Sequence, residues 1–154
     1  KVLNAVEAAN DQQKHVLGNK IKARFGSDLT GRHFALWGLA FKANTDDMRE
    51  ATSREVIKDL VSAGATVTAY DPQAGAEARH CFPNEPALIY ADNQSAALDN
   101  ADALVIVTEW KEFRSPDFAT IKAKLKAPII FDGRNLYDPK TVRDLGFEYS
   151  AIGR

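Results

Sequence analysis

The stretch HFALWGLAFKANTDDMREATSREVIKDLVSAGATVTAYDP, residues 33–72, decides the fold. It opens on His33–Leu39, a mostly apolar run of strand length, as a central strand covered on both faces requires. A polar loop, Lys42–Arg49, follows. Residues 53–63 then carry Val56, Ile57, Leu60 and Val61 as one buried helical stripe, which Gly64 terminates. Thr66–Tyr70 is the next strand, broken by Asp71-Pro72. A strand, a helix and a strand joined by short connections make a parallel pair with a crossover helix.

Outward from this unit the alternation repeats. Ala74–Cys81 reads as a short helix, Leu88–Tyr90 as a short strand and Gln94–Leu98 as helix. Ala103–Thr108 (ALVIVT) is another buried strand, followed by helix over Phe118–Leu125 and strand over Ile129–Asp132. Lys140–Leu145 is helical and Phe147–Ile152 is a last strand. The expected fold is α/β, a Rossmann-like doubly wound parallel sheet. A long N-terminal helix precedes it. Val2, Val6, Ala9 and Val16, then Leu17, Ile21 and Phe25, recur near helical spacing, and Lys20, Lys22 and Arg24 suit its C-terminus before Gly26-Ser27.

Bulk properties bound the function classes. A chain of 154 residues suits one domain, burying roughly 70% of the surface its unfolded form exposes. A net charge of −1 leaves no basic footprint for nucleic acid, so a polyanion must be met by a local cluster of cations. No apolar run approaches the roughly 18 residues of a membrane span, and no signal-peptide pattern opens the chain. The single cysteine, Cys81, forbids an internal disulfide and fits a cytoplasmic location. Beside His80 it reads as incidental, because neighbours on a helix point apart. The chain starts at Lys1, inside a helix without a cap, and its only methionine is Met48; a piece of a longer protein is expected.

In an open parallel sheet, ligands bind beyond the carboxyl ends of the strands, where the strand order reverses. The segments after the strands carry Lys42, Arg49, Lys111 and Arg134, cations that suit a phosphorylated ligand. Asp71 resembles the acid that takes an NAD ribose, yet the first turn has Gly38 alone, followed by Leu39, Ala40 and Phe41. Without G-x-G-x-x-G the backbone cannot approach a pyrophosphate, so long side chains must hold it. A magnesium site on Asp46, Asp47 and Asp132 is a minor alternative. The carboxylates Asp46, Asp47 and Glu50 read instead as opposing the dipole of the next helix. Trp37 reads as core, whereas Trp110 is open to packing or to covering a nucleotide base.

GLAFKANTDDMREATS (Gly38–Ser53) resembles the signature opening the C-terminal domain of the UDP-glucose and GDP-mannose dehydrogenase family. TEWKEFRSPDF (Thr108–Phe118) and IFDGRNLYDP (Ile130–Pro139) resemble two further blocks in the family's order. VEAANDQQK (Val6–Lys14) is similar to the end of its long central helix. The resemblance covers essentially the whole chain. It implies an NAD-dependent enzyme that oxidises the C6 alcohol of a UDP-hexose twice, from UDP-glucose to UDP-glucuronate. It further implies residues 1–26 as the end of a linker and dimerisation helix, and 27–154 as the UDP-sugar-binding domain. An N-terminal domain elsewhere would bind NAD and lead into the catalytic cysteine, for which His80-Cys81-Phe82-Pro83 is no match. Phe41, Lys42 and Arg134 are then expected on the nucleotide sugar, and Arg49 across the cleft on the cofactor side. Asp47-Met-Arg-Glu-Ala51 and the Thr-Glu-Trp block favour the UDP-glucose branch over the GDP-mannose and UDP-N-acetylmannosamine branches. Partners implied are the nucleotide sugar, the chain's own N-terminal domain and a second copy in a homodimer. The competing class is a non-catalytic assembly or regulatory domain, in which the strand-end cations are incidental.

Overall fold

The computed structural model describes residues 15–49 and 51–152. Helix α1 runs over described residues 15–25, and the expected helical residues 1–14 lie outside the described part. The alternation that follows is β1 (His33–Trp37), α2 (Thr52–Ser62), β2 (Thr66–Tyr70), α3 (Gly75–Cys81) and β3 (Leu88–Tyr90). Then come α4 (Gln94–Ala97), β4 (Ala103–Ile106), α5 (Lys111–Arg114), α6 (Phe118–Lys124), β5 (Ile129–Asp132), α7 (Pro139–Asp144) and β6 (Glu148–Ala151).

The strands form one sheet in the order β3-β2-β1-β4-β5-β6, and every neighbouring pair is parallel. Leu36 at the centre pairs with Ala69 on one side and Val105 on the other. Burial follows position in the sheet. All four residues of β4 and of β5 are buried, whereas β2 and β6 alternate. Side chains as large as Phe34, Leu36, Ile57 and Leu60 are fully buried, each worth roughly 1.5–3 kcal/mol of hydrophobic stabilisation. In α2 the stripe of Val56, Ile57 and Leu60 faces the sheet, and Val61 at its margin is half-buried.

Helix α1 belongs to this core. Leu17 and Ile21 are buried, and the Phe25 ring meets Phe34 edge-on with centroids 5.5 Å apart. The guanidinium groups of Arg24 and Arg32 lie over Phe25 at 5.1 and 4.9 Å, covering the part of the ring that the sheet does not. Gly133 makes the close approach possible. A Cβ there would fall 2.6 Å from Leu17 Cδ1 and 2.8 Å from the Ile106 carbonyl oxygen.

Most element ends differ from the sequence reading by one or two residues, β4 closing at Ile106 rather than Thr108, and two differences bear on the site. Strand β1 stops at Trp37 rather than Leu39, because after Gly38, whose N–H still meets the Tyr70 carbonyl, the amides of Leu39 and Ala40 turn away to bind Asp71. The segment after β4 contains the short helix α5, where only a loop was expected. Its four residues are too few for a periodic apolar stripe to show.

Candidate functional site

Because the strands are all parallel, the loops after β1, β2, β4 and β5 leave from one edge of the sheet. Chain order runs outward in opposite directions from β1 and β4, so the crevice opens between those two. Gly38 and Thr108 form its floor. Gly38 has φ of 99°, and a Cβ there would lie 2.5 Å from Thr108 Cβ and 2.7 Å from its backbone nitrogen. Only glycine fits both the conformation and the space. Thr108 then donates its hydroxyl to the Ala40 carbonyl at 2.8 Å, and Ser53 donates to the Leu39 carbonyl at 2.6 Å.

Asp71 is the knot of this edge. Its Oδ2 accepts the backbone N–H of Leu39 at 2.7 Å, that of Ala40 at 3.0 Å and the Trp110 indole N–H at 3.0 Å. Its Oδ1 accepts the N–H groups of Gln73 and Ala74, each at 2.8 Å. One buried carboxylate thus ties together the loops after β1, β2 and β4. Asp132, fully buried, organises the loop after β5 in the same manner. Its Oδ1 accepts Arg134 N–H at 2.9 Å, while its Oδ2 accepts Leu136 N–H at 2.7 Å and the Tyr149 hydroxyl at 2.6 Å. Burial first, then the neighbouring Asp132 and Tyr149, pushes the Tyr137 phenol far above its ordinary range.

The expected contact residues sit on this framework in different states. Phe41 is 46% exposed, an apolar ring presented to solvent on a loop closed by the Phe41 N–H to the Asp47 carbonyl. Lys42 beside it is exposed, with no ion-pair partner among the described residues. Arg49 extends into solvent, its side chain 88% exposed, and pairs with Asp47 at 3.0 Å. That hydrogen-bonded pair holds the Asp47 carboxyl below the usual carboxylate range. Asp47 therefore serves Arg49 and the turn, accepting its backbone N–H at 2.9 Å, and not the dipole of α2, which starts only at Thr52. Glu50 lies outside the described residues.

Arg134 reaches back to the loop after β4. Its Nε donates to Glu109 Oε2 at 2.7 Å, its Nη2 forms an ion pair with the same oxygen at 2.6 Å, and each side chain is about one-third exposed (31% and 33%). Two strand spacings separate the β1 and β5 loops, about 10 Å across the sheet. A ligand touching both Lys42 and Arg134 must be extended.

Two hollows open at this edge. An open cleft of ≈ 880 Å³ lies among Asn44, Pro72, Glu109, Trp110, Lys111 and Arg114. A recess of ≈ 80 Å³ lies among Thr52, Val107, Gly133 and Arg134. Lys111 and Arg134 thus face different hollows, and the larger is lined by neither Phe41 nor Lys42. Trp110 is 6% exposed and hydrogen-bonded inward, so packing rather than base-covering accounts for most of its ring. Trp37 is core as expected, stacked on Phe113 with centroids 5.1 Å apart. Residues that sequence reasoning missed are Glu109 and Asn135. The latter adopts φ of 54° and buries its Oδ1 without a hydrogen-bond partner. A residue with positive φ leaves no trace in composition. The Glu109–Arg134 pair spans 25 positions of sequence.

The framework decides against two alternatives. Asp132 has both oxygens inside the protein on protein donors, and Asp47 holds Arg49, so these acids do not assemble a magnesium site. Nor do the residues fit a dinucleotide held by this chain alone. The first-turn amides of Leu39 and Ala40, which would have to face a pyrophosphate, face Asp71. Asp71, which would have to take the ribose, carries five N–H donors already.

Comparison with known proteins agrees with this geometry. Residues 35–139 match the family model described as UDP-glucose/GDP-mannose dehydrogenase family, UDP binding domain. A UDP-glucose 6-dehydrogenase of Pseudomonas aeruginosa is 46% identical over 157 residues, covering 100% of this chain and 35% of the relative. One of Rhizobium meliloti is 42% identical over 154 residues, with 100% and 35% covered. A solved UDP-glucose dehydrogenase from the archaeon Pyrobaculum islandicum superposes with a TM-score of 0.76 at 31% identity, covering 97% of this chain and 31% of that one. The chain therefore spans about a third of the length of the relatives it matches (35% of each curated one). On the family model, the identities and the fold together, the chain belongs to the UDP-glucose/GDP-mannose dehydrogenase family, within the part described as its UDP binding domain.

Proposed function

We propose that this chain is the nucleotide-sugar-binding part of an NAD-dependent UDP-glucose 6-dehydrogenase, which oxidises UDP-glucose twice to UDP-glucuronate. One observation carries the reading. The backbone amides of the first turn are committed to Asp71, so a diphosphate at this edge must be gripped by side chains. Lys42 and Arg134 supply the cations, and the exposed Phe41 supplies an apolar surface for the ligand. Charge-assisted hydrogen bonds of this kind contribute roughly 1.5–3 kcal/mol each. Arg49, extended into solvent, faces the cofactor side of the closed enzyme.

In this reading residues 1–26 end a helix that joins the chain to an NAD-binding domain and to a second copy in a homodimer. Residues 27–154 form the sugar-nucleotide domain, and the enzyme works in the cytoplasm. The catalytic cysteine belongs to the remaining two-thirds of the protein. Among the described residues no helix is long and apolar enough to cross a membrane. An NADH assay with UDP-glucose, run on the 154-residue chain and on the full-length protein that carries it, tests the proposal. The chain alone is expected to be silent. The full-length protein should release about two NADH per UDP-glucose, as two hydride transfers require, and turn over GDP-mannose poorly. NADH production by the chain alone, or a preference for GDP-mannose, overturns it.

A further inference from the structure

The Glu109–Arg134 pair carries an inference beyond the placing of Arg134 on the nucleotide sugar, and it rests on that placing. We propose that Glu109 is a positioning residue for nucleotide-sugar binding: it fixes the guanidinium of Arg134 in the attitude that the ligand meets.

The geometry is specific. Nε and Nη2 of Arg134 converge on the single oxygen Oε2 of Glu109, at 2.7 and 2.6 Å. That contact occupies one edge of the planar guanidinium. Of its five N–H donors, those on Nη1 and the outer one on Nη2 remain for a ligand. The backbone beneath is equally constrained, because Asp132 takes the N–H groups of Arg134 and Leu136. Glu109 itself stands between two anchored neighbours. Thr108 is tied to the Ala40 carbonyl, and the Trp110 indole is tied to Asp71. Both ends of the pair are therefore held by buried groups, while the pair itself stays about one-third exposed (31% and 33%), within reach of a ligand.

The placement also limits what Glu109 does chemically. A carboxylate against the cation offsets part of its charge, so Glu109 does not add raw attraction for a diphosphate. Its contribution is pre-organisation. A free arginine side chain loses rotamer freedom on gripping a ligand, and one already held by a neighbour loses less. Removing Glu109 leaves Arg134 with its full charge but without its direction.

The test uses the full-length dehydrogenase with Glu109→Ala, Glu109→Gln, Arg134→Ala and the Glu109→Ala/Arg134→Ala double variant. Steady-state constants are measured for UDP-glucose and NAD, with thermal unfolding as a folding control. Glu109→Ala should raise the KM for UDP-glucose about fivefold to tenfold, a pairwise coupling typical of contacting residues. The KM for NAD should stay within about twofold. Glu109→Gln keeps an acceptor oxygen and should recover most of the loss. In the Arg134→Ala background, Glu109→Ala should have no further effect, since there is no guanidinium left to direct. Additive losses in the double variant, or an unchanged or lowered KM in Glu109→Ala, overturn the inference. If Arg134→Ala alone leaves the KM for UDP-glucose unchanged, the placing of Arg134 on the nucleotide sugar fails instead.

Discussion

Trp110 donates its indole N–H to Asp71 across 3.0 Å, joining the loop after β4 to the loop after β2. The same carboxylate oxygen holds the Leu39 and Ala40 amides, so the loop bearing Phe41 and Lys42 is fixed through the same atom. Removing the carboxylate strands five N–H donors, most of them buried. Asp71→Ala is expected to cost about 3–5 kcal/mol, with each unsatisfied donor worth roughly 1–3 kcal/mol and part recovered by water. Trp110→Phe removes one donor and keeps most of the ring, so it should cost only about 1 kcal/mol. Urea unfolding of the two variants measures both values. Equal losses would mean that the tryptophan, not the acid, is the knot.

Gly38 faces the Thr108 backbone across a gap that no β-carbon can enter. Gly38→Ala combines a strained positive φ with a clash against the Thr108 hydroxyl and against its Cβ and backbone nitrogen, which no rotamer change can move away. The expected loss is at least 2 kcal/mol, on the order of an overpacked core site. A thermal scan showing the variant within a degree or two of the parent would remove the crevice floor from this account.

Stability should also report on His33. Its ring nitrogens lie 2.6 Å from the Thr66 hydroxyl and 2.8 Å from the Thr68 hydroxyl. Burial, and then the charge of Lys126, lowers its pKa in the folded chain, against a smaller opposing pull from Asp102. The unfolded chain therefore binds the proton more readily. The contribution is fully present above the unfolded value of about 6.5 and is lost as pH falls below it. The depressed carboxyls of Asp28, Asp47 and Asp117 act in a separate window, below their ordinary 3.8. Stability should slope upward with pH just below about 6.5, and His33→Gln should flatten that slope. A slope unchanged in His33→Gln would assign the effect to other groups.

The fold was legible because the central strands β4 and β5 read as near-continuous apolar runs and the outer ones as short β-rich segments bounded by turn residues. Thr66–Tyr70, Leu88–Tyr90 and Ile129–Asp132 end where the sequence reading ends them. What the sequence leaves out is where polar side chains point. Asp71 stands where a ribose-binding acid stands in a dinucleotide domain, and only the structure reveals that its oxygens are filled by amides from two loops and an indole N–H from a third. Asp47 sits near a helix start, yet turns back to Arg49. The ion pair of Arg134 joins residues 25 positions apart, and such a pairing follows from strand order, which local patterns do not encode. The four residues of α5, capped by Trp110 without a side-chain hydrogen bond, carry neither a cap signal nor a stripe.

The central claim is that side chains on the β1 and β5 loops, rather than backbone amides, hold a uridine nucleotide sugar. Calorimetric titration of the full-length protein with UDP-glucose and with NAD, in the parent and in the Lys42→Ala/Arg134→Ala variant, tests it most directly. Losing two charge-assisted contacts should weaken UDP-glucose binding by at least about a hundredfold. NAD affinity should stay within about twofold. An unchanged UDP-glucose affinity, or a loss confined to NAD, would contradict the account and move the nucleotide sugar to another part of the protein.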